Sequence, residues 1–274
     1  MDEGCISGDD GVCKDKCLNA EEFKSKVASF SDDETIISTL RGTINNLISQ
    51  DDINILVDSL PMSEFVESKG YDANNNRDGR AYNSPTAYAG IGLQELRTSQ
   101  EDRYNKLLEI REKVRLATEK ALGICPGVLL IDFTTLSQKT EGGAHRAHAD
   151  NCLHYFDDKT QKATCDSTRT HPYPNRVAAS ILYLNFPDSG NFSDGEFYFA
   201  NQSNGKVDKT ISIQEGKMIY FTSGVENLHG AMPIRERQGG DSNKLPRRLA
   251  LAMWYVTDKE LEEYVPPFQE SQWH

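Results

Sequence analysis

From Val128 onward the chain is written in short apolar runs, each closed off by Gly, Asn, Asp or Pro. The runs are Val-Leu-Leu-Ile-Asp-Phe (128–133), Val-Ala-Ala-Ser-Ile-Leu-Tyr-Leu-Asn (177–185), Gly-Glu-Phe-Tyr-Phe (195–199), Thr-Ile-Ser-Ile (210–213), Lys-Met-Ile-Tyr-Phe (217–221) and Leu-Ala-Leu-Ala-Met-Trp-Tyr-Val (249–256). They are too short for core helices and rich in β-branched and aromatic residues, so they read as strands. Strands of this kind at close spacing bury their apolar faces as a sandwich or jelly roll. The expected fold is therefore mainly β with flanking helices, its core at about 125–258.

Helices come first. Residues 19–30 form an expected helix capped by Asn19, with Phe23, Val27 and Phe30 on one face. Residues 33–49 carry Ile36, Ile37, Leu40, Ile44, Leu47 and Ile48 at helical spacing. Residues 53–59 read as a short strand or as the end of that helical region. The Asn-, Asp-, Gly- and Pro-rich stretch 70–90 is a long loop. Thr98-Ser-Gln-Glu101 is a capping box. Leu107, Ile110, Val114, Ala117 and Ala121 then follow on one helical face, and Gly123 sits at the stop position. This predicts a helical, Cys-containing extension at 1–60 and a larger unit at 61–274.

The formal net charge of −12 argues against a nucleic-acid backbone as the main partner, because phosphate binding needs a basic surface. No apolar run approaches the ~20 residues of a membrane-spanning helix. The six cysteines fall in two groups, 5, 13 and 17 and then 125, 152 and 165. Such clustering is compatible with disulfides in a secretory compartment or with free thiols. Met1 is followed directly by Asp-Glu-Gly-Cys, so the expectation is either a cytoplasmic chain or one whose signal segment has been removed. The sequons at Asn191 and Asn201 do not decide between them.

The chain has six histidines. His148 and Asp150 form a His-x-Asp pair, and in an extended segment residues two apart point to the same side. His229, in Glu-Asn-Leu-His-Gly, follows the run 217–221 and supplies a third donor. Two His and one carboxylate on one face leave three positions open on an octahedral iron(II), the arrangement used by non-haem oxygenases. Zinc prefers four-coordinate sites with more His or Cys. Arg248 opens the last strand, and a guanidinium fork suits the far end of a dicarboxylate co-substrate. Arg247 is the alternative, since a one-residue slip reverses which side chain points inward. His145, His154 and His171 read as loop histidines, the last two in a polar lid-like stretch at 153–176.

The ordered segments His-Ala-Asp-Asn-Cys (148–152), Ala-Ala-Ser-Ile-Leu-Tyr-Leu-Asn (178–185), Asp-Gly-Glu-Phe-Tyr-Phe (194–199), Gly-Lys-Met-Ile-Tyr-Phe-Thr-Ser-Gly-Val-Glu-Asn-Leu-His-Gly (216–230) and Arg-Leu-Ala-Leu-Ala-Met-Trp (248–254) resemble the catalytic domain of the prolyl 3-hydroxylases, the leprecan group of 2-oxoglutarate oxygenases. The similarity covers roughly 70–258. It implies a double-stranded β-helix, iron(II) held by His148, Asp150 and His229, and 2-oxoglutarate held through Arg248. Tyr183 would assist Arg248 or else serve as a buried sheet aromatic. Dioxygen would be a co-substrate and ascorbate an optional reductant. The substrate would be a prolyl residue in a collagen-like or other proline-rich protein, in the endoplasmic reticulum or secretory pathway, with the cytoplasm as the alternative. Tyr155, Phe156, Tyr173 and Trp254 are candidates for a peptide channel. Cys152 and Cys165 are a candidate disulfide beside the metal.

Two departures from the family pattern stand out. The gap from His229 to Arg248 is long, with 237–244 resembling an inserted loop, and the N-terminal region is short for the helical repeats of the large animal enzymes. Hydroxylation at another prolyl carbon or another residue, and a non-catalytic binding module on the same fold, are the competing readings. The carboxylate of Asp150 separates hydroxylation from halogenation, which needs a small residue there.

Overall fold

The computed structural model describes residues 17–28, 39–58, 88–92, 101–240 and 246–265. Its helices are α1 (Ala20–Ala28), α2 (Gln50–Asp58) and α3 (Glu101–Leu122). Its strands are β1 (Arg41–Ile44), β2 (Tyr88–Gly92), β3 (Leu130–Thr140), β4 (His145–His148), β5 (His154–Asp157), β6 (Lys162–Cys165), β7 (Ala178–Tyr183), β8 (Phe192–Asp194), β9 (Phe197–Ala200), β10 (Val207–Ile211), β11 (Met218–Thr222), β12 (His229–Ala231), β13 (Ile234–Glu236) and β14 (Arg247–Val256).

A six-stranded sheet in the order β1-β11-β7-β14-β3-β2 faces a four-stranded sheet in the order β10-β9-β12-β4, the expected jelly roll. Strand alternation divides the large sheet into two faces. Leu249, Leu251, Met253 and Tyr255 of β14 join Leu182 and Met218 in a core with Tyr104, Leu107, Ile110, Val114 and Leu122 of α3. Ala250 and Trp254, on the opposite face of β14, pack with Ala179, Tyr183, Phe197, Phe199 and Phe221 between the sheets. The helix therefore seals one side of the sheet, and the other side faces the smaller sheet. Gly123, at φ 71, ends α3 in the left-handed conformation expected of a helix stop.

The N-terminal expectations hold in part. Asn19 caps α1, its side-chain oxygen accepting from the Glu22 amide at 3.0 Å while Glu22 accepts from the Asn19 amide at 2.9 Å. The helical reading of 33–49 fails at 41–44. There β1 pairs antiparallel with β11, Arg41 opposite Phe221 and Ile44 opposite Met218. Gly42 and Thr43 are poor helix formers, and an open sheet edge offers them a ladder, so tertiary pairing overrides the apolar spacing. Residues 53–58 are helical, within α2. Residues 88–90, read as the end of a loop, belong to β2, while the capping box at Thr98 lies outside the described residues.

The boundary expected near residue 60 also lies outside the described residues. On its N-terminal side, Phe23, Ile48, Ile53 and Leu56 share one core with α3. Cys17 and Cys125 form a disulfide, and Leu18 exchanges backbone hydrogen bonds with Gly123 and Cys125 at 2.8 and 3.0 Å. Phe23 is fully buried. Phe23→Ala is expected to destabilise the protein by about 3–5 kcal/mol in a denaturant titration. An unchanged midpoint would mean that α1 does not pack on the core.

Candidate metal and co-substrate site

The smaller sheet brings the first two candidate ligands together. β12 runs antiparallel to β4 with His229 directly opposite His148, so both rings project from the same face. Asp150 follows β4 after one residue, its amide donating to the Ser223 carbonyl at 2.8 Å. One ligand atom from each of His148, Asp150 and His229 lies within 4.8 Å of the other two. Both imidazole Nε2 atoms point at the same carboxylate oxygen of Asp150, at 3.5 Å from His148 and 3.7 Å from His229.

The backbone selects the tautomers. Nδ1 of His148 lies 2.9 Å from the Arg146 carbonyl, and Nδ1 of His229 lies 2.9 Å from the Asn227 carbonyl. A carbonyl only accepts, so each Nδ1 carries the proton and each Nε2 presents a lone pair inward. The second oxygen of Asp150 is buried with no hydrogen-bond partner. A buried carboxylate oxygen without a donor is costly, and a divalent cation between the three groups would satisfy it. The donor set of two neutral imidazoles and one carboxylate fits iron(II).

Charge follows burial. Burial pushes the Asp150 carboxyl up, but the neighbouring His229, His148 and Arg176 outweigh it and hold the group well below the usual carboxylate range. Burial lowers His229 to about 4, with His148 adding to the effect and Asp150 opposing it. At neutral pH the pair is thus carboxylate and neutral imidazole, the protonation states that metal binding requires.

A turn at Val225–Asn227 sets the approach to His229. The buried Glu226 carboxylate accepts from the Thr222 hydroxyl and from the Gly224 amide at 3.1 Å. Asn227 donates to the Thr222 hydroxyl oxygen at 2.8 Å and to the Leu40 carbonyl at 3.2 Å. Phe221 and Phe197 then hold the His229 ring, with centroids at 4.3 and 5.4 Å. Gly230 is needed because a Cβ there would collide with the Tyr198 ring and the His145 carbonyl.

The triad opens into a cavity between the sheets. Arg248 and Tyr183 both line it, and the Arg248 guanidinium sits 5.7 Å from the centre of the Tyr183 ring. Arg248 donates to the carbonyl of Gly195, which adopts φ 77. The alternation of β14 turns Arg248, and not Arg247, toward the cavity. Arg248, Ala250, Ala252 and Trp254 line the cavity, whereas Arg247 has the parity of the α3-facing residues.

Two sequence readings change. His145 is the first residue of β4 and its ring lies 4.4 Å from that of His148, tilted against it, so it belongs to the cavity wall and not to a loop. His154 starts β5, a strand of the hairpin β5–β6 inside the stretch read as a lid-like loop. His171 is buried, its Nδ1 accepting from the Tyr173 amide at 3.1 Å. The pairing of Cys152 with Cys165 is present and ties the segment after Asp150 to β6. Lys139, which also lines the cavity, was not foreseen, because the strand read as 128–133 runs on to Thr140.

Residues 134–256 match the family model of the 2OG-Fe(II) oxygenase superfamily. This segment is a 2OG-Fe(II) oxygenase domain. Iron(II) and 2-oxoglutarate are the cofactor and co-substrate of that family, and the three converging candidate ligands and Arg248 all lie within the matched span. The chain is similar to prolyl 3-hydroxylase 1 of Gallus gallus, 29% identical over 137 residues covering 49% of this chain and 16% of that protein. It is also similar to prolyl 3-hydroxylase 2 of Rattus norvegicus, 32% identical over 122 residues covering 43% of this chain and 15% of that protein. The matched segments thus span only a small part of these relatives. HygX of Streptomyces hygroscopicus, solved with nickel and 2-oxoglutarate bound, shares the fold of the oxygenase domain with a TM-score of 0.51. It is 12% identical, over 84% of this chain and 89% of that one.

His229→Ala in the oxygenase domain is expected to weaken manganese(II) binding at least tenfold in calorimetry; an unchanged affinity would contradict the ligand set. A His held at about 4 in the fold, against 6.5 when unfolded, takes up its proton first in the unfolded state. The metal-free protein should therefore lose stability as pH falls from about 6.5 to about 4, and His229→Gln should flatten that part of the profile. An identical profile in the variant would remove His229 as the cause.

Proposed function

We propose that the chain is an iron(II)- and 2-oxoglutarate-dependent prolyl hydroxylase acting on a proline-containing peptide or protein, with the third ring carbon as the target. The observation that carries this reading is the convergence of His148, Asp150 and His229 around an unsatisfied carboxylate oxygen inside an oxygenase domain. His148, Asp150 and His229 would hold the iron, and Arg248 with Tyr183 would hold the far carboxylate of 2-oxoglutarate. Bound iron(II) and 2-oxoglutarate supply the means to insert one oxygen atom of dioxygen into a C–H bond, the other leaving in succinate as carbon dioxide is released. The two Nδ1–carbonyl contacts keep both imidazoles turned to the metal position, and Phe197 and Phe221 keep its inner side dry.

The mouth of the cavity supports a peptide substrate. Trp254 lines the cavity and stacks on the exposed Phe133 at 5.9 Å. The Arg176 guanidinium, anchored to Asp132 at 2.7 Å, lies over Trp254 at 4.7 Å and over the exposed Tyr173 at 3.8 Å. Such a ladder of flat faces suits an extended proline-rich segment. Tyr155 and Phe156 are exposed on the disulfide-closed hairpin β5–β6. The Cys17–Cys125 and Cys152–Cys165 disulfides favour an oxidising compartment, so we place the protein in the secretory pathway, in the endoplasmic reticulum. Ascorbate would act as an auxiliary reductant. We propose 1–60 as an extension docked on a 61–274 oxygenase unit.

Incubation with a collagen-like peptide, iron(II), 2-oxoglutarate and air is expected to yield succinate together with one added oxygen on a prolyl residue, read by mass spectrometry. Trp254→Ala should raise the KM for peptide several-fold with less effect on that for 2-oxoglutarate. Iron-dependent succinate formation with the oxygen added to another residue type would contradict the prolyl assignment. No succinate under any metal would favour a binding module.

A further inference from the structure

We propose that Lys139 is a second cationic contact for 2-oxoglutarate, acting beside Arg248 on the carboxylate farthest from the metal. Lys139 of β3 lies directly opposite Arg248 of β14, and opposed residues on antiparallel strands project from the same face. Both line the cavity that contains His148, Asp150 and His229. Both are more than nine-tenths buried, Lys139 at 7% exposure and Arg248 at 6%.

Two like charges directly across a strand pair repel, and burial strengthens the repulsion. Lys139 gains nothing from its surroundings to offset this. Among the described residues it has no carboxylate partner, and the charge that acts on it is that of Arg248. Burial first, and Arg248 second, push its ammonium well below the ordinary lysine range. The Arg248 guanidinium is oriented toward the cavity by the Gly195 carbonyl, to which it donates. A buried cation pair facing a cavity is the electrostatic complement of an anion, and a carboxylate accepts from an ammonium and a guanidinium together. Lys139 would thus make the co-substrate pocket selective for a dicarboxylate over a 2-oxo acid that lacks the distal group.

This inference rests on the 2-oxoglutarate reading of the cavity. The test is calorimetry on the full chain loaded with manganese(II) in the absence of dioxygen, using 2-oxoglutarate and oxalate as probes. Oxalate chelates a metal through the same kind of groups but has no distal carboxylate. Lys139→Met is expected to weaken 2-oxoglutarate about ten- to hundredfold and to leave oxalate unchanged, with Lys139→Arg restoring most of the loss. Lys139→Gln serves if the Met variant does not fold. Equal weakening of both probes, or no weakening of 2-oxoglutarate, would overturn the assignment of Lys139. Failure of the unmodified protein to bind 2-oxoglutarate at all would instead overturn the reading of the cavity.

Discussion

The antiparallel pairing of β12 with β4 puts His229 opposite His148, and the candidate chemistry depends on that register. A slip of one residue would send one ring to the far side of the sheet and leave the other beside Asp150 alone. Several features of the chain hold the register. Gly230 allows the close approach of Tyr198 and the His145 backbone. The Glu226–Thr222–Asn227 cluster fixes the turn that feeds β12. The Ser223 carbonyl takes the amide of Asp150, so the third candidate ligand is tied to the segment that leads into the same turn.

The larger sheet supplies the other half of the site by simple alternation. On β14 every second residue from Arg248 to Trp254 faces the cavity, and the residues between them face α3. That division lets one strand carry a buried cation at one end of the cavity, small alanines in the middle and Trp254 at the other end. The same alternation on β3 brings Lys139 opposite Arg248. Helix α3 contributes no cavity residue. Its role is to cover the opposite face of the sheet, which leaves the inner face available for polar groups.

Much of this was legible in the sequence. His148, Asp150, His229 and Arg248 stand in strand-forming segments whose order resembles one family, and the structure brings all four to one cavity. What escaped was set by distant partners. The apolar spacing of 33–49 favours a helix, but β1 forms there because the edge of β11 is available. The run 128–133 contains the apolar part of β3, whereas Ser137 and Lys139 continue the strand with polar residues that only the cavity explains. His145 looked like a loop residue because Gly142 and Gly143 precede it, yet β12 draws it into a strand. A lysine at the inward parity of a strand was the available signal for Lys139, and it required the strand's true end to be seen.

The most direct test is a crystal structure of the protein grown without dioxygen in the presence of iron(II) and 2-oxoglutarate, with iron located by anomalous scattering. The account predicts a single iron peak bound by Nε2 of His148, Nε2 of His229 and the carboxylate of Asp150, with the distal carboxylate of 2-oxoglutarate on Arg248. An iron peak away from these three residues, or a co-substrate directed to Arg247, would contradict it.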